Sequence, residues 1–269
     1  MKIGIVGGGN MGLAYARSLV NKNIIDSNNL FIYESYPEQV IFLRNLEIAH
    51  IRPELDDDLS TLDVLIVAVK PQSFLELAST LKDRLSADTL IISIMAGVKV
   101  DVIKDKLKVE NVVRAMPNTP CQNGLGATGY LLFDGISEDA QSIVSKVLSS
   151  TGMSVQVSSE DEIDSVTALS GSGPAYVFAF AEALQHAGEE MGLGADVSKK
   201  LAVQTLKGAV NLMETSGKSF DELITAVKSK GGTTEAALNK FADLSFETTV
   251  EQSLNAAKVR ASELSNLIQ

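Results

Sequence analysis

Three short stretches of this chain carry residue types and spacings suited to chemistry. The first is Gly7-Gly8-Gly9-Asn10-Met11-Gly12, in which Gly7, Gly9 and Gly12 fall on a G-x-G-x-x-G spacing. Glycines so placed suit a tight turn, a backbone close enough to touch a pyrophosphate, and a close helix–strand contact. A helix starting behind them offers free N–H groups and the positive end of its dipole to phosphate oxygens. The second is Glu34, 22 residues beyond Gly12, the interval at which an acidic side chain accepts hydrogen bonds from the adenosine ribose hydroxyls of NAD. Like charge there opposes a 2′-phosphate, and the next basic residue along the chain is Arg44. On these residues NADH is favoured over NADPH; the alternative is a solvent-exposed loop glutamate. The third is Gly231-Gly232-Thr233-Thr234 ahead of a helical stretch. Bare N–H groups and two hydroxyls there suit an anion such as a substrate carboxylate. The same residues also read as flexible glycines followed by a threonine N-cap.

Other catalytic sets are missing. His50 and His186 are the only histidines, one near a strand end and one within a helical stretch, and structural roles are expected for both. No HExxH, G-x-S-x-G or EF-hand pattern occurs, and no metal site is expected. The remaining acid–base candidates near the expected cleft are Lys70, Tyr176 and hydroxyl groups. That set is poor for reducing a ketone, which benefits from a placed proton donor. A cyclic imine differs, because its nitrogen arrives protonated and the protein mainly has to position a hydride donor.

The elements needed to position these residues are legible from periodicity. Ile3, Ile5 and Val6 form a β-branched run before the glycines, and residues 13–20 continue as a helix. Strands are expected at 30–33, 48–51, 63–69, 89–95, 111–115, 126–133 and 153–157, and helices at 37–46, 74–85, 100–107 and 138–148. This alternation predicts a parallel, doubly wound sheet, with the loops that follow the strands along one edge. From residue 160 only helical segments are found. Residues 166–184 are apolar nearly all round, which marks a helix buried in a subunit interface. Pro174 is expected either to start that helix or to kink it. Further helices are expected at 196–215, at 220–227 behind a Ser219/Glu222 capping box, at 235–244 and at 246–268, the last with a stripe of Val250, Leu254, Ala257, Ala261, Leu264 and Ile268. The expected fold is therefore α/β: a Rossmann-type sheet domain over 1–158, then an all-helical domain over 159–269.

Composition narrows the function classes. With 34 acidic against 23 basic residues the net charge is −11, which argues against nucleic-acid partners that need a basic footprint. No apolar run reaches the roughly 20 residues that span a membrane. The first strand starts at Lys2, so no cleavable leader is expected. Cys121 is the single cysteine, and a cytoplasmic protein is expected.

Six motifs in order, GGGNMG at 7–12, VKPQ at 69–72, SIMAGV at 93–98, RAMPNTP at 114–120, LSGSGPAY at 169–176 and GGTTEAAL at 231–238, closely resemble the pyrroline-5-carboxylate reductase family over residues 1 to about 265. The resemblance implies reduction of 1-pyrroline-5-carboxylate to L-proline by NADH or NADPH, the last step of proline biosynthesis. It also implies homodimers that assemble further, often into decamers, with each active site shared between two subunits. Carried over by position, Gly7, Gly8, Gly9, Asn10 and Met11 hold the pyrophosphate, with Glu34 and Ser35 at the adenosine end. Ala68, Val69, Lys70 and Pro71 line the cofactor, and Ala96, Gly97, Asn118 and Thr119 lie near the nicotinamide. Gly231, Gly232, Thr233 and Thr234 receive the substrate carboxylate from the partner subunit. Thr234 orients or protonates the ring nitrogen, and Ser170 and Ser172 help form the pocket.

Two departures bear on this resemblance. Ser229-Lys230 precedes the glycines where the family has Ser-Pro, and Glu34 stands where many relatives carry Ser or Thr to receive an NADPH phosphate. Family frequency thus points to NADPH and this residue to NADH. The competing readings are a regulatory nucleotide-binding relative and a β-hydroxyacid dehydrogenase. The latter expects a lysine a turn after Gly171-Ser172-Gly173, where this chain has Pro174-Ala175-Tyr176-Val177-Phe178.

Overall fold

The structure, a computed structural model, describes residues 1–132 and 135–267. Phe133 and Ile268, expected in a strand and in a helix stripe, lie outside the described residues. Two compact units are present: Met1–Ser172 together with the chain from Ala256 onward, and Gly173–Asn255.

The first unit is built on one eight-stranded sheet. Its strands are β1 Ile3–Val6, β2 Leu30–Tyr33, β3 His50–Arg52, β4 Val64–Val67, β5 Leu90–Ser93, β6 Val112–Met116, β7 Gly126–Leu131 and β8 Gly152–Val157, in spatial order β3-β2-β1-β4-β5-β6-β7-β8. Chain order reverses between β1 and β4, the position at which a doubly wound sheet opens its ligand crevice. Helices α1 (Asn10–Asn21), α2 (Pro37–Arg44) and α5 (Glu138–Leu148) and helices α3 (Phe74–Leu81) and α4 (Val100–Leu107) supply two separate apolar clusters. Alternate strand residues feed them: Ile3, Ile5, Ile32 and Ile66 join one cluster, and Val6, Phe31, Leu65 and Val67 the other. Both faces are covered, which is why these strands read as continuous apolar runs.

One expectation is corrected. The sheet is mixed, because β7 runs antiparallel to β6 while the other pairs are parallel. Between Met116 and Gly126 the chain has only a 3₁₀ turn, Thr119–Asn123. A parallel return needs a crossover of about a dozen residues or more, so the strand can only double back.

Helix α6 (Glu160–Val166) packs on β6 and β7 and runs into a π-type turn, Thr167–Gly171. The continuous helix expected over 166–184 is therefore interrupted. In the second unit α7 starts afresh at Gly173 and runs to Glu190, so Pro174 opens a helix, where its missing N–H costs nothing. It packs on α8 (Ala195–Thr215); α9 (Phe220–Val227) and α10 (Thr233–Asp243) follow, and α11 (Phe246–Ser265) begins in this unit and belongs to the first from Ala256. The Ser219/Glu222 capping box forms as expected. Within the single chain Val177, Phe178 and Phe180 of α7 are exposed, the condition of a helix whose apolar circumference awaits a partner. Among the described residues no helix is long and apolar enough to cross a membrane.

Candidate active site

The glycine loop meets each mechanical demand of its spacing. Gly7 has φ +99°, a left-handed backbone that side chains resist, and its N–H donates to the Tyr33 carbonyl at 2.9 Å. A Cβ on Gly12 would lie 2.0 Å from the Gly7 carbonyl oxygen, so only glycine lets α1 press onto the loop. Around Gly9 nothing lies within 4 Å of a Cβ position, and this residue is exposed. Gly9 is the N-cap of α1 but brings no side chain, and the first turn holds no acidic residue. The orphan N–H groups of that turn are thus left for an anion.

Glu34 faces this loop. One carboxylate oxygen accepts from the Gly8 N–H and the other from the Tyr36 N–H, both at 2.9 Å. Gln39, from α2, donates to the Gly8 carbonyl at 2.6 Å. Glutamate and glutamine together clamp the residue next to the expected pyrophosphate position. Glu34 and Ser35 also line a cleft of about 580 Å³ with Val69, Glu54, Glu76 and Arg84. Along the chain Arg44 is the nearest cation to Glu34, but folding instead places Arg84 in the cleft, with one guanidinium N–H donating to the Leu55 carbonyl at 2.9 Å. Arg52 is committed to Asp56 and Asp58 at 2.8 and 2.9 Å. Neither Gln39 nor Arg84 stands at a motif spacing, so sequence reasoning passed over both.

Ala68, Val69, Lys70 and Pro71 leave the C-terminal end of β4, across the switch point from the glycine loop. A Cβ on Gly7 would lie 2.8 Å from the Ala68 carbonyl oxygen, so these two loops touch. Ala96 and Gly97 follow β5 on the side away from β2, where the second mononucleotide half belongs. Asn118 follows β6. Its amide joins residues far apart in sequence: Oδ1 accepts from the Ala127 N–H at 2.9 Å, and Nδ2 donates to the Ser170 carbonyl and hydroxyl at 3.2 and 3.3 Å. The Ser170 hydroxyl donates in turn to the Ala127 carbonyl at 3.3 Å. Asn118 and Ser170 are thus brought together, and the π-type turn carrying Ser170 is fixed by that amide.

Beneath β6 lies an arrangement the sequence did not announce. Arg114 is 1% exposed within the strand, and its guanidinium meets Glu160 and Asp164 of α6. The second Glu160 oxygen accepts from the Val100 N–H at 3.0 Å, at the start of α4. Burial pushes the Asp164 carboxyl above its ordinary range, with Arg114 opposing.

In the second unit the Gly231-Gly232 loop differs in detail from expectation. The Gly231 N–H donates to the Glu235 carboxylate at 2.8 Å and the Gly232 N–H to the Ser229 carbonyl at 2.9 Å. Those two groups are engaged, not bare. The N-cap of α10 is Gly232 rather than a threonine, and it supplies no side-chain acceptor, so Thr233 and Thr234 open the helix with uncapped N–H groups. His50 stacks on the Phe31 ring at 5.3 Å, a structural use. No group of three or more metal-binding side chains occurs among the described residues.

A doubly wound sheet with a glycine-cradled helix N-terminus at its switch point and an acidic side chain after the next strand defines a nicotinamide-dinucleotide oxidoreductase with an appended helical unit. Residues 2–97 match the family model described as NADP oxidoreductase coenzyme F420-dependent, and residues 160–264 match pyrroline-5-carboxylate reductase dimerisation. Pyrroline-5-carboxylate reductase of Staphylococcus aureus (strain COL) is 32% identical, over 99% of this chain and 99% of that protein. The Pseudomonas aeruginosa enzyme is 39% identical over 75% of this chain and 74% of its own. Among solved structures, a pyrroline-5-carboxylate reductase from Coxiella burnetii superposes with TM-score 0.90 at 34% identity, covering 98% of both chains. The Plasmodium falciparum pyrroline carboxylate reductase with NADP bound gives TM-score 0.85 at 30% identity, again over 98% of both. The chain belongs to the pyrroline-5-carboxylate reductase family.

Proposed function

We propose that this protein reduces 1-pyrroline-5-carboxylate to L-proline with NAD(P)H, preferring NADH, as a homodimer that assembles further toward a decamer and works in the cytoplasm. The observation that carries the cofactor half is the Gly9-capped α1 terminus with the Glu34 carboxylate fixed beside it. The residues present fit a dinucleotide, since the exposed Gly9 backbone leaves room for a pyrophosphate. When bound, the nicotinamide supplies a hydride to the carbon of the C=N bond.

The chain's own groups bind and orient. Backbone N–H groups of residues 9–12 hold the pyrophosphate, with Gly7, Gly8, Asn10 and Met11 shaping the cradle. Glu34 accepts from the ribose hydroxyls, with Ser35 beside it. Residues 68–71 and 96–97 wall the nicotinamide half. Thr233 and Thr234 present N–H groups to the substrate carboxylate, with Gly231 and Gly232 shaping the turn, and the Thr234 hydroxyl sits at the ring nitrogen. The nitrogen enters protonated, so the chain needs to supply no strong acid there and the Thr234 hydroxyl only has to orient it. Asn118 sets the position of Ser170, and with it the pocket wall that includes Ser172. In a dimer the threonine loop serves the partner's cofactor.

The test is oxidation of NADH and of NADPH by purified protein supplied with 1-pyrroline-5-carboxylate, followed at 340 nm with proline measured as product. Turnover with NADH ahead of NADPH is expected. Cofactor binding without turnover would leave a regulatory nucleotide-binding protein and overturn the enzymatic reading.

A further inference from the structure

The end of the last helix returns to the sheet unit, and it does so at one loop. Residues from Ala256 onward cluster with that unit although α11 begins in the other one. Gly97, buried at φ +71°, lies against this helix end: a Cβ there would be 3.4 Å from the Leu264 carbonyl carbon, the Leu264 Cβ and the Ser265 nitrogen. Two residues on, the Lys99 ammonium donates to the Asn266 side-chain carbonyl at 3.0 Å. Ala261 and Ser265 are buried on the same stretch.

The loop is held at its far end too. Lys99, the N-cap of α4, gives no side-chain cap, and Glu160 of α6 accepts from the Val100 N–H instead. The next residue of α6, Asp161, pairs with Lys258 of α11 at 2.7 Å. Helices α6 and α11 are therefore tied to each other, and both grip residues 97–100.

We propose that the end of α11 and the residue after it, residues 261–266, are a positioning element for the nicotinamide half of the cofactor site, acting through the backbone of Gly97. This rests on the assignment of the dinucleotide site above. Loops after strands move unless something rigid holds them, and a displacement of about 1 Å at a reacting group can cost about 100-fold in rate. A helix backbone in contact with a glycine backbone is a stiff support, since no flexible side chain intervenes. The adenosine half, on β1 and β2, has no part in this contact. Residues 261–266 therefore act on the nicotinamide and leave ADP-ribose binding alone.

Two variants test this: the chain ended after Arg260, and full-length Asn266→Ala, which removes the side-chain acceptor that Lys99 meets and lies beyond the last helical residue, Ser265. Binding of NADH and of ADP-ribose, which lacks the nicotinamide, is measured by calorimetry on each, with hydride transfer followed in single turnovers using NADH deuterated at C4. For the shortened chain NADH affinity is expected to fall at least about 10-fold and ADP-ribose less than about twofold, with slower hydride transfer. For Asn266→Ala the NADH loss is about threefold, with ADP-ribose unchanged; this variant decides the matter if the shortened chain does not fold. Equal losses of both ligands, or no loss of either, would overturn the proposal. Wild-type protein that binds neither ligand would instead bring down the dinucleotide site itself.

Discussion

Replacing Glu34 with serine should invert part of the cofactor preference, and its size can be worked from the site. The carboxylate is held by two N–H groups at 2.9 Å, so it cannot swing away from a 2′-phosphate without losing both. Two unit charges about 5 Å apart repel by about 3 kcal/mol at an effective dielectric of 20 and by about 1 kcal/mol in water. Glu34 is part-exposed, so the repulsion falls between those limits. Glu34→Ser should therefore improve NADPH binding by about 5- to 150-fold, taking about 1.4 kcal/mol per tenfold change. Arg84 lines the same cleft and would then be a cation within it available to a 2′-phosphate. NADH should weaken at the same time, because hydrogen bonds to a charged acceptor contribute about 1.5–3 kcal/mol. The assay is kcat/KM for both cofactors at saturating imine, with Kd for each by fluorescence, at two salt concentrations. Screening should shrink the wild-type discrimination at high salt and leave the variant nearly flat. An NADPH/NADH ratio that moves by less than about threefold would refute the reasoning, because it would mean the ribose does not lie against Glu34.

Gly12→Ala should lower the thermal midpoint and NADH affinity together, since its Cβ would fall 2.0 Å from the Gly7 carbonyl oxygen; overpacking of this kind costs roughly 1–3 kcal/mol, and wild-type values in both measurements would contradict it. Thr234→Val, close in shape, should reduce kcat/KM for the imine by about 10- to 100-fold through loss of a hydrogen bond to a charged group, while NADH Kd stays put; parallel losses in the two would indicate a folding defect instead. Asp164→Asn probes the buried cluster by pH. The folded Asp164 pKa is raised, so its contribution to stability is fully present below the unfolded value near 4 and is lost as pH rises through the folded pKa. The stability of wild type relative to Asp164→Asn should decline in urea titrations as pH rises above the unfolded value near 4; a rise with pH there would show that Arg114 outweighs burial.

What could be read from sequence was local. The spacing of Gly7, Gly9 and Gly12 announces its own mechanics, because a tight turn and a helix start need only neighbouring residues. The run of β-branched and apolar residues before it, the capping box at Ser219, and helices 100–107 and 138–148 are legible for the same reason: turn chemistry and periodicity act within one or two turns of chain. The reversal of β7 was also within reach, since the nine residues between β6 and β7 are too few for a crossover. The six ordered motifs carried the family.

The rest depends on which distant segments meet. Nothing near Glu34 in sequence foretells that its carboxylate bonds to Gly8 and that Arg84 enters its cleft, and nothing near Asn118 foretells Ser170. The Gly231 N–H looked free in sequence because Glu235 reaches it only once α10 has wound a turn. The support of Gly97 by residues 264–265 joins segments some 167 residues apart, measured by Lys99 and Asn266. Backbone conformation follows from each residue and its near neighbours, whereas side-chain partners follow from how packed elements bring surfaces together. Sequence alone therefore determined the sheet-then-helices plan, the glycine turn ahead of α1 and the family. The tertiary structure decided that the Glu34 carboxylate is held by Gly8 and Tyr36, that the Asn118 amide meets Ser170, and that the end of α11 meets the loop at Gly97 and Lys99.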